Sequence, residues 1–253
     1  MSEQPTELVH LDIADEIATI TLDSPHNRNA LSKQLVTELV DHLTTVGASV
    51  DAKVVVLKSS GRVFCSGADL SEASTVPLEE GLRAIAALQR QLLELPQPVV
   101  AVVEGAARAG GIGIVAASDI AIVAEDATFA LTEVKLGLTP AIISLTVLPR
   151  LTQRAASLTA LGGEVFNGTE AAAYGLVTKA VPAEELAAAV DAMVASLATG
   201  AAQGLRETKA LLNGPLIADI AARTDELAAL SGRLFASDEA REAMIAFLNR
   251  KKG

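Results

Sequence analysis

Two short runs of small residues carry the chemistry this sequence offers. One is Phe64-Cys65-Ser66-Gly67-Ala68-Asp69-Leu70, which follows the apolar run Lys53–Leu57. The other is Gly105-Ala106-Ala107-Arg108-Ala109-Gly110-Gly111-Ile112-Gly113, which follows Pro98–Val103. Each places residues with little or no side chain where a buried parallel strand gives way to a helix. At such a junction the first backbone N–H groups lack intrahelical partners, and the helix dipole favours negative charge. Two N–H groups converging from the two loops would hold a developing oxyanion. Read singly, either loop is equally a tight strand-to-helix turn.

Other chemistries have weaker support. Gly111-Ile112-Gly113-Ile114-Val115-Ala116 fits a dinucleotide G-x-G-x-x-A string, but Glu104 to Gly110 separate it from the preceding strand, where that fingerprint needs its first glycine. Cys65 and Ser66 lie in no G-x-S-x-G elbow, and His10, His26 and His42 all fall in the N-terminal part without a pairing signal, so they read as satisfied or surface histidines. No Cys/His/Asp spacing suggests a metal. Tyr174 reads as a packed helix residue.

Composition narrows the partners. The 253 residues carry 20 Lys plus Arg against 31 Asp plus Glu, a net charge of −11. That balance argues against nucleic acid or an anionic membrane, both of which need clustered cations. One tyrosine, five phenylalanines and no tryptophan leave no stacking platform for single strands. Half the residues are hydrophobic, enough for a globular core built from Ala, Val, Ile and Leu. The apolar stretch Val99–Ala124 is broken by Glu104, Arg108 and Asp119, so no bilayer span is expected. A lone cysteine and an N-terminus without a basic-then-apolar leader lead to the expectation of a cytoplasmic protein.

The elements that must position these loops follow from periodicity. Leu8–Ile13 and Ile17–Leu22 alternate like a hairpin. Ser32 precedes Leu35, Leu39 and Leu43 on one helix face, and Leu78, Leu82, Ile85, Leu88 and Leu92 mark a second helix ending before Pro96. Short strands are expected at Lys53–Leu57, Pro98–Val103, Ile120–Val123, Thr128–Leu131 and Leu176–Val181. A helix over Leu151–Leu161 ends at Gly162-Gly163, and a short one starts at Thr169-Glu170. Alternating strands and helices give an α/β class with a mostly parallel core over 1–182. From Ala183 the pattern is helical: Ala183–Leu197, Gln203–Leu212, Ile217–Leu230 and Asp238–Arg250, a second region over 183–253.

In this order along nearly the whole chain, several motifs resemble the enoyl-CoA hydratase/isomerase (crotonase) family. They are S-G-A-D-L at 66–70, G-x-x-R-A-G-G-x-G at 105–113, and Phe129-x-x-Thr132-Glu133-Val134-x-Leu136-Gly137-Leu138-x-Pro140. Gly175-Leu176-Val177, Val181-Pro182 and Arg241-Glu242-x-Met244-x-x-Phe247-Leu248-x-x-Lys251-Lys252 complete the set. The resemblance implies a spiral of ββα turns, followed by a helical C-terminal region that drives trimerisation, as a homotrimer or a hexamer made of two trimers. It implies an acyl-CoA thioester as substrate and no separate cofactor, since coenzyme A is part of that substrate. The family's two oxyanion donors fall on the N–H groups of Ala68 and Gly110. Its acid/base glutamate falls on Glu133, whose alternative is a solvated carboxylate paired with Lys135. Arg28, Asn29, Ala30, Leu31, Ser66, Gly67, Asp69, Leu70, Gly111, Gly113 and Pro140 match positions around the substrate and its coenzyme. Lys209, Lys251 or Lys252 would meet a 3′-phosphate, or else form a solvated basic face. Arg108 would meet a substrate carboxylate or pair with Glu104.

One position departs from the family's two-glutamate hydratases. The second carboxylate would fall three residues after Gly110, where this chain has Gly113. Hydration needs a base to direct water at C3 and an acid to protonate C2, whereas double-bond isomerisation needs a single base. The string Thr132–Ser144 is similar to hydratases of branched or carboxylated acyl-CoAs, many of which have glycine at this position. The expected function is therefore an enoyl-CoA hydratase, with a Δ3,Δ2-enoyl-CoA isomerase or a catalytically silent acyl-CoA-binding protein as alternatives.

Overall fold

The computed structural model describes residues 6–72 and 77–250. Residues 73–76 lie outside this range, as do Lys251 and Lys252. The chain runs β1 (Val9–Ala14), β2 (Ile17–Leu22), α1 (Lys33–Ala48), β3 (Val54–Ser59), β4 (Val63–Cys65), α2 (Leu78–Glu94), β5 (Val99–Val103), β6 (Ala106–Arg108) and α3 (Gly110–Ala117). It continues through β7 (Ile120–Ala124), β8 (Thr128–Ala130), α4 (Ala141–Arg150), α5 (Gln153–Gly162), β9 (Phe166–Asn167), α6 (Gly168–Tyr174), β10 (Lys179–Val181), α7 (Leu186–Ala198), α8 (Ala202–Phe235) and α9 (Asp238–Arg250).

Two sheets organise these elements. The larger has the order β1-β2-β3-β5-β7-β10, and the smaller has the order β4-β6-β8-β9. Only β1 with β2 and β8 with β9 are antiparallel. The runs Val54–Leu57 and Val99–Ala101 are almost wholly buried because parallel strands covered on both faces need apolar side chains throughout. Three strands of the large sheet are each followed by one of the small sheet and then a helix: β3-β4-α2, β5-β6-α3, β7-β8-α4. The chain therefore winds as a spiral of ββα turns, and the α/β class holds.

Of the small sheet, the sequence predicts β8, expected at Thr128–Leu131, and misses β4, β6 and β9. These strands have two or three residues, too short to show a repeat of two. The loops at 66 and 109 consequently follow β4 and β6 rather than the long strands β3 and β5.

Helix ends follow local chemistry. The Ser32 side chain accepts from the Leu35 N–H at 3.3 Å and starts α1, whose Leu35, Leu39, Leu43 and Val46 are buried. Gly163 ends α5 at φ 62°, as the glycine pair predicts. Two expectations are corrected and one helix is added. Gln203–Leu212 and Ile217–Leu230 are one helix, α8, that passes through Pro215. The carbonyl that loses its partner belongs to Leu211, which is 80% exposed. Asn213, just ahead, is anchored to Asp119 at 3.0 Å. The strand expected at Leu176–Val181 shrinks to β10, because the Leu176 N–H instead donates to the Ala171 carbonyl at 2.9 Å and caps α6. Ala141–Arg150, bounded by Pro140 and containing Pro149, is a helix without an amphipathic signal, since both its faces are largely buried.

Candidate active site

Sheet register brings the small-residue loops together. Cys65 pairs with Ala107 across β4 and β6, and Ala107 pairs with Phe129 across β6 and β8, all parallel. Three residues further along each chain lie Ala68, Gly110 and Thr132, with Glu133 next. These positions share the carboxyl end of three neighbouring parallel strands, where loops of an α/β protein gather a ligand. Adjacent strands are about 4.8 Å apart, so the ends of β4 and β8 are separated by roughly 10 Å.

The loop after β4 is pinned by the first turn of the spiral. The Ser66 N–H donates to the Arg28 carbonyl at 3.1 Å, and the Leu31 N–H donates to the Gly67 carbonyl at 2.8 Å. Leu31 and Ala68 form a parallel bridge. In a trans peptide the carbonyl of one residue and the N–H of the next point in opposite directions. With the Gly67 carbonyl turned to Leu31, the Ala68 N–H faces away from it.

Gly110 is the first residue of α3, so its N–H has no helical acceptor. A methyl group placed on Gly67 would sit 3.6 Å from the Gly110 nitrogen and 2.8 Å from the Ala109 Cβ. Gly67 has φ +94°, a backbone that glycine tolerates. A methyl on Gly110 would meet Leu31 Cδ1 at 2.6 Å. Ala109, between them, has φ 45°, a left-handed conformation that strains a non-glycine residue. The backbone of residues 67–68 and 109–110 is thus in close contact, and only small residues permit it.

Glu133 opens a one-turn 3₁₀ helix, Glu133–Leu136. Its Oε2 is buried and accepts no hydrogen bond. Burial pushes the carboxyl pKa up from its ordinary value, opposed only by its own backbone N–H. Lys135 does not neutralise it, because that ammonium pairs with Glu164 at 2.9 Å. A carboxyl group held above its usual range, with a free lone pair, is suited to taking and returning a proton.

The remaining sequence-derived residues separate into those near this cluster and those that serve the fold. Arg28 (φ 61°) and Asn29 (φ 53°) shape the turn before Leu31. The buried Asn29 side chain accepts from the Ser24 N–H at 2.6 Å and donates to the Val63 carbonyl at 2.8 Å, tying that turn to β4. Ala30 and Leu31 are buried. Ser66 Oγ donates to the Asn27 carbonyl at 3.2 Å. Asp69 is half-buried; Ser71 foremost, then Asn27, holds its carboxyl below the usual range. Leu70 begins a short 3₁₀ turn, and Pro140 immediately precedes α4. Gly111 packs against Cys65, where a methyl would come within 2.7 Å of the Cys65 carbonyl oxygen. Gly111 and Gly113 lie inside α3, so they form no dinucleotide turn.

Several expectations change. Arg108 does not pair with Glu104; its guanidinium donates to the Ala107 and Thr128 carbonyls and to Thr128 Oγ1. Lys209 is 5% exposed and forms a 2.8 Å ion pair with Asp119, so it is no surface phosphate ligand. Tyr174 packs beside Phe166, as expected. Cys65 is buried, its thiol pushed up to about 12, which leaves it no nucleophile near neutrality. Among the described residues no three His, Cys, Asp or Glu side chains gather as a metal site, and no single helix is long and apolar enough to cross a membrane. Sequence reading missed Gln89 of α2, fully buried against Gly113; a polar residue on an otherwise apolar helix face was the available signal.

The chain resembles known proteins over most of its length. The family model for enoyl-CoA hydratase/isomerase matches residues 12–253. A crotonyl-CoA hydratase from Syntrophomonas wolfei is 30% identical over 252 residues, covering 97% of this chain and 96% of that one. A peroxisomal Δ(3,5)-Δ(2,4)-dienoyl-CoA isomerase from Arabidopsis thaliana is 26% identical, with 99% and 96% covered. The crystal structure of an enoyl-CoA hydratase from Mycobacterium avium superposes with a TM-score of 0.91 at 42% identity, covering 97% of each chain.

Proposed function

The chain belongs to the enoyl-CoA hydratase/isomerase family, and from that premise we propose that it hydrates an enoyl-CoA thioester through an enolate. The observation that carries this reading is the buried, unpartnered carboxyl oxygen of Glu133 at the end of a row of parallel strands whose neighbours lead into the touching loops at 67 and 109–110. The thioester oxygen sits on the Ala68 and Gly110 N–H groups, which strengthen their hold as negative charge develops on it. Glu133 takes a proton from water as the hydroxyl attacks C3. The C2=C3 electron pair moves toward C1 and gives the enolate. Glu133 then returns the same proton to C2, the carbonyl reforms, and one water has been added. A single carboxylate suffices because it is left protonated by the first half of the reaction. The peptide segments at 28–31 and 66–70, with Gly111 and Pro140, line the coenzyme and thioester side of this site. Exposed Leu158, Leu161 and Val165 around α5 and Leu211 and Leu212 of α8 supply apolar surface for a homotrimer or hexamer, built through the helical 183–253 region.

Gly113 favours a second reading, the Δ3,Δ2-enoyl-CoA isomerase, in which Glu133 alone moves a proton from C2 to C4. The test is turnover of crotonyl-CoA and of a 3-enoyl-CoA, followed by the conjugated thioester absorbance. Loss of absorbance with crotonyl-CoA supports the hydratase, and a gain with the 3-enoyl thioester alone supports the isomerase. Binding of both without conversion would leave an acyl-CoA-binding protein.

A further inference from the structure

Three buried side-chain polar atoms among the described residues have no hydrogen-bond partner: Glu133 Oε2, Gln97 Oε1 and Gln89 Nε2. Gln97 is a strut, its amide nitrogen donating to the Val46 carbonyl at 2.9 Å beneath α1. Gln89 is different. It is 1% exposed on α2, between apolar Ile85, Leu88 and Leu92. Leaving an amide N–H without a partner in such a place costs about 1–3 kcal/mol. Its other end is fixed, since Thr146 Oγ1 donates to Gln89 Oε1 at 2.7 Å and lies 3.3 Å from the Gly113 carbonyl oxygen. With Thr146 as the donor, the amide nitrogen is turned toward α3.

That nitrogen occupies the space that a side chain at position 113 would take. A methyl on Gly113 would fall 2.8 Å from Gln89 Nε2, 3.1 Å from Gln89 Cδ and 2.9 Å from Ile143 Cγ2. Gly113 is three residues after Gly110, on the same face of α3 and about 4.5 Å along its axis. Ile85, one turn before Gln89, would likewise lie 3.9 Å from a methyl on Gly110. The face of α2 bearing Ile85 and Gln89 thus runs alongside the α3 segment that begins with the Gly110 N–H.

Resting on the hydratase reading, we propose that Gln89 is a positioning residue whose side-chain N–H holds the oxygen of the attacking water, the task left open by glycine at 113. The amide moves no proton. Both hydrogens of the added water pass as written above, one through Glu133 to C2 and one retained on the new C3 hydroxyl, which Gln89 holds as product. Gly113 is the matching half of the device, because any side chain there would displace the amide.

The test compares two reactions of the same protein. One is hydration of crotonyl-CoA. The other is exchange of the C2 protons of butyryl-CoA with D2O, which needs enolate formation but no attacking water. Gln89→Leu keeps the volume and leaves Thr146 its neighbouring carbonyls. It is expected to lower kcat for hydration about 10- to 100-fold with KM little changed, so that the ratio of exchange to hydration rises by a similar factor. Gly113→Ala, which pushes on the amide from the other side, is expected to act in the same direction. Hydration unaltered in Gln89→Leu, or exchange falling in step with it, overturns the role of Gln89. Wild-type protein that exchanges C2 protons yet hydrates nothing overturns the hydratase reading and the water-positioning role with it.

Discussion

Replacing Gly67 by alanine tests whether the two loops form one oxyanion site. The added methyl would lie 2.8 Å from the Ala109 Cβ and 3.6 Å from the Gly110 nitrogen. Carbon atoms in ordinary contact stay about 3.5 Å apart, so the loops must separate by roughly 0.7 Å. Donors act on a developing oxyanion only within about 2.7–3.1 Å, and a shift of that size moves one of them out of range. The loss of one donor is worth roughly 3–4 kcal/mol, or about 10²- to 10³-fold in kcat. Stability falls too. A non-glycine residue at φ +94° is strained by about 1–2 kcal/mol, and overpacking adds about 1–3 kcal/mol. A domain stable by about 5–15 kcal/mol survives this, so the variant remains foldable at low temperature. The assay is kcat for crotonyl-CoA hydration, run below the variant's melting temperature as measured by circular dichroism. Gly61→Ala serves as control, since a methyl there meets nothing within 4 Å. A folded Gly67→Ala protein with kcat within about threefold of wild type would refute the two-loop site.

Other expectations follow from the same geometry. Glu133→Gln removes the proton carrier and should lower kcat about 10²- to 10⁴-fold while binding of the thioester persists, measured by calorimetry beside turnover. In wild type the acid limb of the kcat/KM profile should lie above the ordinary carboxyl value of 4.5, because burial raises the Glu133 pKa. The same shift predicts a stability difference. Glu133 binds its proton more tightly folded than unfolded, so its contribution is complete below 4.5 and is lost as pH rises through the raised folded value. Denaturant titrations should therefore show Glu133→Gln gaining stability relative to wild type as pH increases above 4.5. Asp119→Ala leaves the Lys209 ammonium buried without its anion and should destabilise by about 3–5 kcal/mol in denaturant melts, with Lys209 held only by the Leu92 and Gln97 carbonyls. Cys65, with its thiol pushed up to about 12 and its side chain buried, should resist thiol reagents at neutral pH until denaturant is added.

Much of the fold is written locally. The β-branched runs at 54–57 and 99–103, the Leu35-Leu39-Leu43 stripe and the glycine at 163 each decide their own conformation, since burial period and capping act over a few residues. So does the chemistry of the loops, because small side chains beside a helix start are a local property. Motif resemblance extends this to Glu133 and to the glycine that replaces a second carboxylate at 113. The merger of α8 across Pro215 is not local, since helix continuity there rests on the Lys209 and Asn213 bonds to a distant Asp119. Nor are the small sheet's β4, β6 and β9, which are held by neighbours about twenty to forty residues away rather than by their own sequence pattern.

By itself, the sequence determined which groups are present: two runs of small residues, one glutamate among apolar neighbours, and no side chain at 113. Only the tertiary structure decided that Ala68, Gly110 and Glu133 follow one row of parallel strands, that Lys209 is spent on Asp119, and that Gln89 occupies the space beside Gly113. Residue type and spacing act through bonded neighbours within a turn or two, whereas register, burial and the meeting of α2 with α3 are set by the packing of segments far apart in the chain.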